Sequence, residues 1–259
     1  MESRGGTILD LIRAILSFFF ERRRAKHSVE LPEVINRVVT AEKAAALTFD
    51  ADLTPKMESM MRGGMKKAWC DERLLSTLEA LKIPATFFLS GKWMAAHPSA
   101  VARIAGNPLF ELGNHGYTHA GFSALSSASP RFSPEDKINE EEIVRAEKML
   151  REYPSFRRYF RFPHMTLTRP RVAFVRRLGY FVIEGNINRP DVHERHAHTL
   201  TRKILRRLSP GSIVALHLHG GNHAPATGAA LPELIVRTRK KGYRFLKLSD
   251  LLKLGRPSS

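Results

Sequence analysis

Ala44-Ala45-Ala46-Leu47-Thr48-Phe49-Asp50-Ala51-Asp52 is an apolar run that ends at two carboxylates. Ala44–Phe49 reads as a strand, which places both acids at its C-terminal end. The same arrangement recurs down the chain. Strands are expected at Ala85–Leu89, Leu109–Gly113, Arg158–Phe162, Tyr180–Ile183, Ser212–Leu216 and Tyr243–Leu246. Helices are expected between them at Lys66–Leu81, Trp93–Ala105, Pro134–Arg151, Arg169–Leu178, His198–Leu208 and Ala229–Lys241, with a short closing helix at Ser249–Leu254. A polar loop is expected from Ala120 to Ser133. Strand alternating with helix specifies an α/β fold with a parallel sheet covered by helices. Seven strands fit an open sheet as well as a closed one. The reactive residues select between them, because Asp50, His115, Arg161, Glu184 and His217 each stand at or just beyond the end of a different strand. In a β/α barrel those ends converge on one face. The expectation is a distorted (β/α)7-type barrel over 43–259, with an N-terminal helical extension over 1–42.

Composition narrows the function classes. The chain has 259 residues, 43% of them hydrophobic, long enough to bury one large core. A lone cysteine, Cys70, excludes an intramolecular disulfide framework and a cysteine-based zinc site. The net charge of +17 would draw the chain toward anionic polymers or surfaces. The basic residues are spread over several helical faces, and no nucleic-acid-binding signature accompanies them, so no specific nucleic-acid partner is expected. Ile8–Phe20 is apolar but is interrupted by Asp10 and Arg13, which suits neither a membrane span nor a secretory leader. It reads as an amphipathic helix followed by the basic run Arg22 to Lys26. Such a helix docks on the protein's own body or lies on an anionic membrane surface.

His115 and His119, four residues apart, can turn their nitrogens toward one point. With one carboxylate they make the ligand count of a catalytic zinc with open positions, and the remaining carboxylate is free to act as a base. Cobalt, nickel or manganese would accept the same ligands.

The chain from about Lys43 to Leu254 resembles the polysaccharide deacetylase family, also called the NodB-homology family or carbohydrate esterase family 4. Thr48-Phe49-Asp50-Ala51-Asp52 is similar to the family's Thr-Phe-Asp-Asp-Gly, with an alanine between the acids. The resemblance implies that Asp50 is the general base and Asp52 a metal ligand. His115-Gly116-Tyr117-Thr118-His119 looks like His-Ser/Thr-x-x-His, implying that both histidines are ligands. Arg161-Phe162-Pro163-His164-Met165 is similar to Arg-x-Pro-x-Gly. This implies that Arg161 pairs with the base carboxylate and that the backbone near His164 meets the oxyanion. The fourth motif usually carries Trp and Asp. Here Gly179 to Asn188 has neither, and Asp191 arrives three residues later, which points to an altered pocket. Ser212 to His217 is close to the fifth motif, implying that His217 is the general acid. Tyr117, Pro163, His164, Asp191 and His219 are then expected to meet substrate, with His219 and His223 read as rim residues rather than ligands.

The activity implied is metal-dependent removal of N-acetyl groups from an amino-sugar glycan such as peptidoglycan or chitin-like material. An N-acetylated glycan partner favours the cell envelope or a peripheral membrane position. Two other readings stay open: hydrolysis of the C–N bond of a small cyclic amide on the same scaffold, and a basic membrane- or polymer-binding protein with a vestigial site.

Overall fold

The computed structural model describes residues 33–65, 69–119, 134–165, 167–219 and 223–259. The amphipathic helix expected over Ile8–Phe20, its basic run, and the loop Ala120–Ser133 lie outside the described residues, as does the expected helix start at Lys66. Among the described residues, no helix is long and apolar enough to cross a membrane.

The strands run in chain order β1 (Val34–Ile35), β2 (Arg37–Val39), β3 (Ala44–Ala51), β4 (Ala85–Leu89), β5 (Phe110–Asn114), β6 (Phe156–Phe160), β7 (Phe181–Ile183), β8 (Ile187–Asn188), β9 (Ser212–His217), β10 (Arg244–Leu246) and β11 (Arg256–Ser258). Every residue of β3, β4, β5 and β9 is buried, as expected of strands covered on both faces. They join in the order β1-β7-β6-β5-β4-β3-β9-β2-β11, with β10 added to β3 and β8 to β9. All pairings are parallel except those of β2 with β9 and with β11. The Asn36 N–H donates to the Ser258 carbonyl at 2.8 Å, which brings the two ends of the path together. The result is the expected α/β architecture, a nearly closed barrel-like sheet.

The sheet begins at Val34 and not at residue 43, because β1 and β2 come from the stretch read as extension. Gly211 shows how closely β2 is applied, since a Cβ there would meet the Val38 carbonyl oxygen at 1.8 Å. Its φ of +77° is also one that glycine adopts freely. β6 ends at Phe160, two residues earlier than expected, so Arg161 leaves the strand and is free to turn inward.

The helices are α1 (Pro55–Arg62), α2 (Glu72–Ala80), α3 (Gly91–Ala96), α4 (Pro98–Gly106), α5 (Pro134–Leu150), α6 (Arg169–Arg177), α7 (Ala197–Arg207), α8 (Thr227–Lys240) and α9 (Leu248–Leu251). α1 was not expected; none of its residues is fully buried, although Met57, Met60 and Met61 pack partly buried against the core. Thr54 caps it, accepting from Met57 N. α2 starts at the cap Asp71 and buries Leu74, Leu75 and Leu78, the face read from sequence. The helix expected over Trp93–Ala105 is two helices. Pro98 disfavours helical backbone at His97, which sits at φ −131° and ψ 54°. Cys70 is half-buried rather than buried, and burial pushes its thiol up to about 12. Between the sheet and the helices that cover it, Phe87 stacks on Phe49 at 5.4 Å between centroids and meets Phe110 edge-on at 5.1 Å. Burial of such rings contributes about 2–3 kcal/mol each, anchoring the strands whose ends carry the site.

Candidate active site at the C-terminal ends of the strands

Asp50, near the end of β3, is buried against Arg161. The Arg161 Nη1 donates to Asp50 Oδ1 at 2.7 Å, Nη2 to the Glu184 carbonyl at 2.9 Å, and Nε to the Ile183 carbonyl at 3.2 Å. The guanidinium also lies over the Phe88 ring at 4.1 Å. It is therefore held on every side and cannot swing away from the carboxylate. Burial pushes the Asp50 carboxyl up, but Arg161, His115 and His217 outweigh it and hold it below the usual carboxylate range. Glu184, among the five strand-end residues read from sequence, contributes its backbone carbonyl. Its side chain accepts from Asn188 Nδ2 at 3.0 Å, and burial pushes its carboxyl up.

The segment after β5 is a tight turn whose backbone is satisfied from three directions. Asn114 Oδ1 accepts from Gly116 N at 2.8 Å. Glu142 on α5 accepts from Tyr117 N at 3.0 Å and Thr118 N at 2.7 Å. The Gly91 and Lys92 N–H groups donate to the Gly116 and Tyr117 carbonyls at 2.9 and 2.8 Å. This clamping holds His119 at a positive φ of 55° and sets its ring 4.8 Å from that of His115. His115 Nδ1 lies 2.8 Å from the Arg161 carbonyl, which assigns the proton to Nδ1 and leaves Nε2 with its lone pair. His119 Nδ1 is buried, finds no hydrogen-bond partner among the described residues, and lies 3.7 Å from Asp52 Oδ2. Burial lowers His119 to about 3 against the opposing pull of Asp52, and burial lowers His115 as well. Both rings are neutral near pH 7, the form that binds a metal. One donor atom from each of Asp52, His115 and His119 lies within 4.8 Å of the other two. A buried, unpartnered nitrogen beside a carboxylate and a second free imidazole nitrogen fits a divalent cation.

The other side of the site is differently built. His217, the last residue of β9, places Nδ1 3.1 Å from Asp191 Oδ1. Asp191 Oδ2 accepts from the His217 backbone N–H and from Thr227 Oγ1, both at 2.8 Å. Burial pulls His217 down, but Asp191, Asp50 and Asp52 outweigh it and raise it above its ordinary value. Asp191 was expected to face substrate. It is 0% exposed with both oxygens occupied, so it positions His217 instead. His219 is buried with Nε2 3.1 Å from Asp52 Oδ1, and so lies against the acid rather than open at the rim. His223 is half-buried, its ring 4.9 Å from that of His217 and 5.3 Å from that of His219.

Of the remaining expected residues, His164 is exposed and meets the His119 ring edge-on at 4.4 Å, while Pro163 is buried beneath it. Tyr117 is half-buried under the Arg145 guanidinium at 3.8 Å. It also lines a cavity of about 370 Å³ with Leu53, Glu58, Met61 and Lys92. Sequence reasoning missed Glu142 and Asn114, which hold the histidine turn. Neither carries a signal, because an acid in a helix and an asparagine at a strand end are ordinary residues until the fold sets them beside free N–H groups.

The fold and site define a β/α barrel carrying a metal-competent donor set, a buried carboxylate–arginine pair and an acid-supported imidazole. The polysaccharide deacetylase family profile matches residues 37–183, more than half of the chain, and the chain belongs to that family. A peptidoglycan-N-acetylglucosamine deacetylase of Bacillus cereus is 26% identical over 69% of this chain and 62% of its own length. The chain thus spans less than two thirds of that relative. A chitooligosaccharide deacetylase of Bradyrhizobium is 23% identical over 82% of this chain and 92% of its own. A crystal structure of a peptidoglycan N-acetylglucosamine deacetylase superposes with a TM-score of 0.69 at 21% identity, covering 87% of this chain and 95% of that one, and shares the fold.

Proposed function

We propose that this chain is a metal-dependent hydrolase that removes N-acetyl groups from an amino-sugar polysaccharide of the peptidoglycan or chitin type. One observation carries the reading. A cation-competent trio (Asp52, His115, His119), an ionised Asp50 held by Arg161, and His217 backed by Asp191 all stand at the same ends of the sheet. The family relatives named for peptidoglycan and chitooligosaccharide deacetylation support the substrate class.

Asp52, His115 and His119 would hold the metal, and two imidazoles with one carboxylate favour zinc, with cobalt, nickel or manganese accepted by the same donors. When bound, the cation polarises the amide carbonyl and acidifies a water molecule. Asp50 accepts that water's proton on Oδ2, the oxygen not bonded to Arg161. Arg161 keeps the carboxylate ionised and aimed. His217, protonated through Asp191, donates from Nε2 to the departing nitrogen, which makes the amine a competent leaving group. His164, exposed beside His119, and Tyr117, in the cavity lined by Leu53 and Lys92, would meet the sugar. The charge of +17 suits an anionic glycan, and the run Arg22 to Lys26 supports docking on an anionic membrane. The zinc-reconstituted chain is expected to release acetate from N-acetylglucosamine oligomers or peptidoglycan. Bound metal with no acetate from any member of such a panel would reject the assignment.

A further inference from the structure

We propose that His217, His219 and His223 form a second, weaker cation site that shares Asp52 with the first, and that a metal held there blocks His217 as proton donor. Each of the three rings offers one nitrogen within 4.8 Å of the others. His217 Nδ1 is already fixed by Asp191, which leaves Nε2 as its donor atom. A carboxylate behind the ring is the support that metal-bound histidines commonly have. His219 Nε2 stands 3.1 Å from Asp52 Oδ1. That is also roughly the spacing of two neighbouring ligand atoms on one cation at about 2.0–2.1 Å from each. The two oxygens of Asp52 address different groups, Oδ2 toward His119 and Oδ1 toward His219. A carboxylate so placed can bridge two cations, as in two-metal sites with ions roughly 3.5–4 Å apart. His223, the half-buried member, is where an ion would enter.

Without a second cation, a proton on His219 Nε2 satisfies Asp52. With one, that proton and the Nε2 proton of His217 are released to water, and both nitrogen lone pairs go to the metal. Excess zinc therefore inhibits by taking the proton donor. The binding claim stands independently of the deacetylase reading, whereas the inhibition claim rests on it.

Zinc titration of the full chain by calorimetry and equilibrium dialysis separates the possibilities. The unaltered protein is expected to bind two zinc ions, and His223→Ala is expected to keep the tight ion and weaken the second at least roughly tenfold. His223→Gln provides the same comparison if the alanine variant does not fold. Acetate release should fall as the second ion loads in the unaltered protein and persist to at least roughly tenfold higher zinc in His223→Ala. A single zinc in the unaltered protein, or a second zinc bound equally well by the variant, overturns the site. Two ions with undiminished turnover overturn the inhibition. If no substrate is deacetylated, the proposed function fails, while the stoichiometry still decides the site.

Discussion

His119 and His217 are both buried at the same end of one barrel, yet their surroundings drive them in opposite directions. His119 falls to about 3, because burial dominates and no described residue hydrogen-bonds its Nδ1. His217 rises, because Asp191 accepts from its ring and faces it with a buried negative charge. One carboxylate behind the ring therefore separates an imidazole that stays neutral near pH 7 from one whose protonated form persists to higher pH. Asp50 and Asp52 divide likewise. Arg161 occupies Asp50, whereas the imidazoles of His119, His219 and His115 hold Asp52, against its burial, well below the usual carboxylate range.

The comparison can be broken at either side. Asp52→Ala should have the largest effect, abolishing metal binding and lowering turnover on the order of 1,000-fold or more, as the loss of several kcal/mol of metal assistance implies. Elemental analysis beside acetate release checks both. His217→Ala should lower turnover by roughly 100- to 10,000-fold while leaving the tight metal in place. Loss of that metal would show that the two sides are not separate.

Asp191→Asn sharpens the contrast by making His217 more like His119. A proton-donating His217 must be protonated to act, and Asp191 raises its value, so activity in the unaltered chain should extend to higher pH. The variant's alkaline limb should move to lower pH, with turnover at neutral pH reduced about 10- to 100-fold. The stability from the raised His217 is present below its ordinary value and is lost as pH rises through the raised one. That from the lowered Asp191 is lost as pH falls through its own value. Thermal unfolding of the two proteins should therefore differ most between those limits, and an equal difference at all pH values would contradict the pairing. Glu142→Ala should have the smallest effect, freeing the Tyr117 and Thr118 N–H groups at a cost of about 1–3 kcal/mol. Metal affinity should fall roughly tenfold, and denaturant unfolding with a zinc titration would measure both.

Much of this was legible in the chain. The seven expected strands all occur, because buried parallel strands are continuous apolar runs between polar helices, and each ends close to where its apolar run ends. The clustering of Asp52, His115 and His119 follows from strand ends that converge. The elements that were missed have little sequence signature. β1, β2, β8 and β11 are two or three residues long, too short for periodicity, and exist because neighbouring strands offer free backbone groups. α1 is only eight residues long and packs only partly buried methionines against the core, and the break at His97 came from one proline inside an otherwise helical run. Asp191 looked like a loop acid, since its partners are 26 and 36 positions away.

Taken alone, the order of apolar runs and the residues that close them determined the barrel and the face on which the candidate site residues gather. Those depend on hydrophobic period and strand direction, which are local. Tertiary structure decided that His119 is driven toward its neutral form and His217 toward its protonated one. That distinction rests on burial and on charges brought from distant strands and loops, quantities that no stretch of chain possesses before it folds.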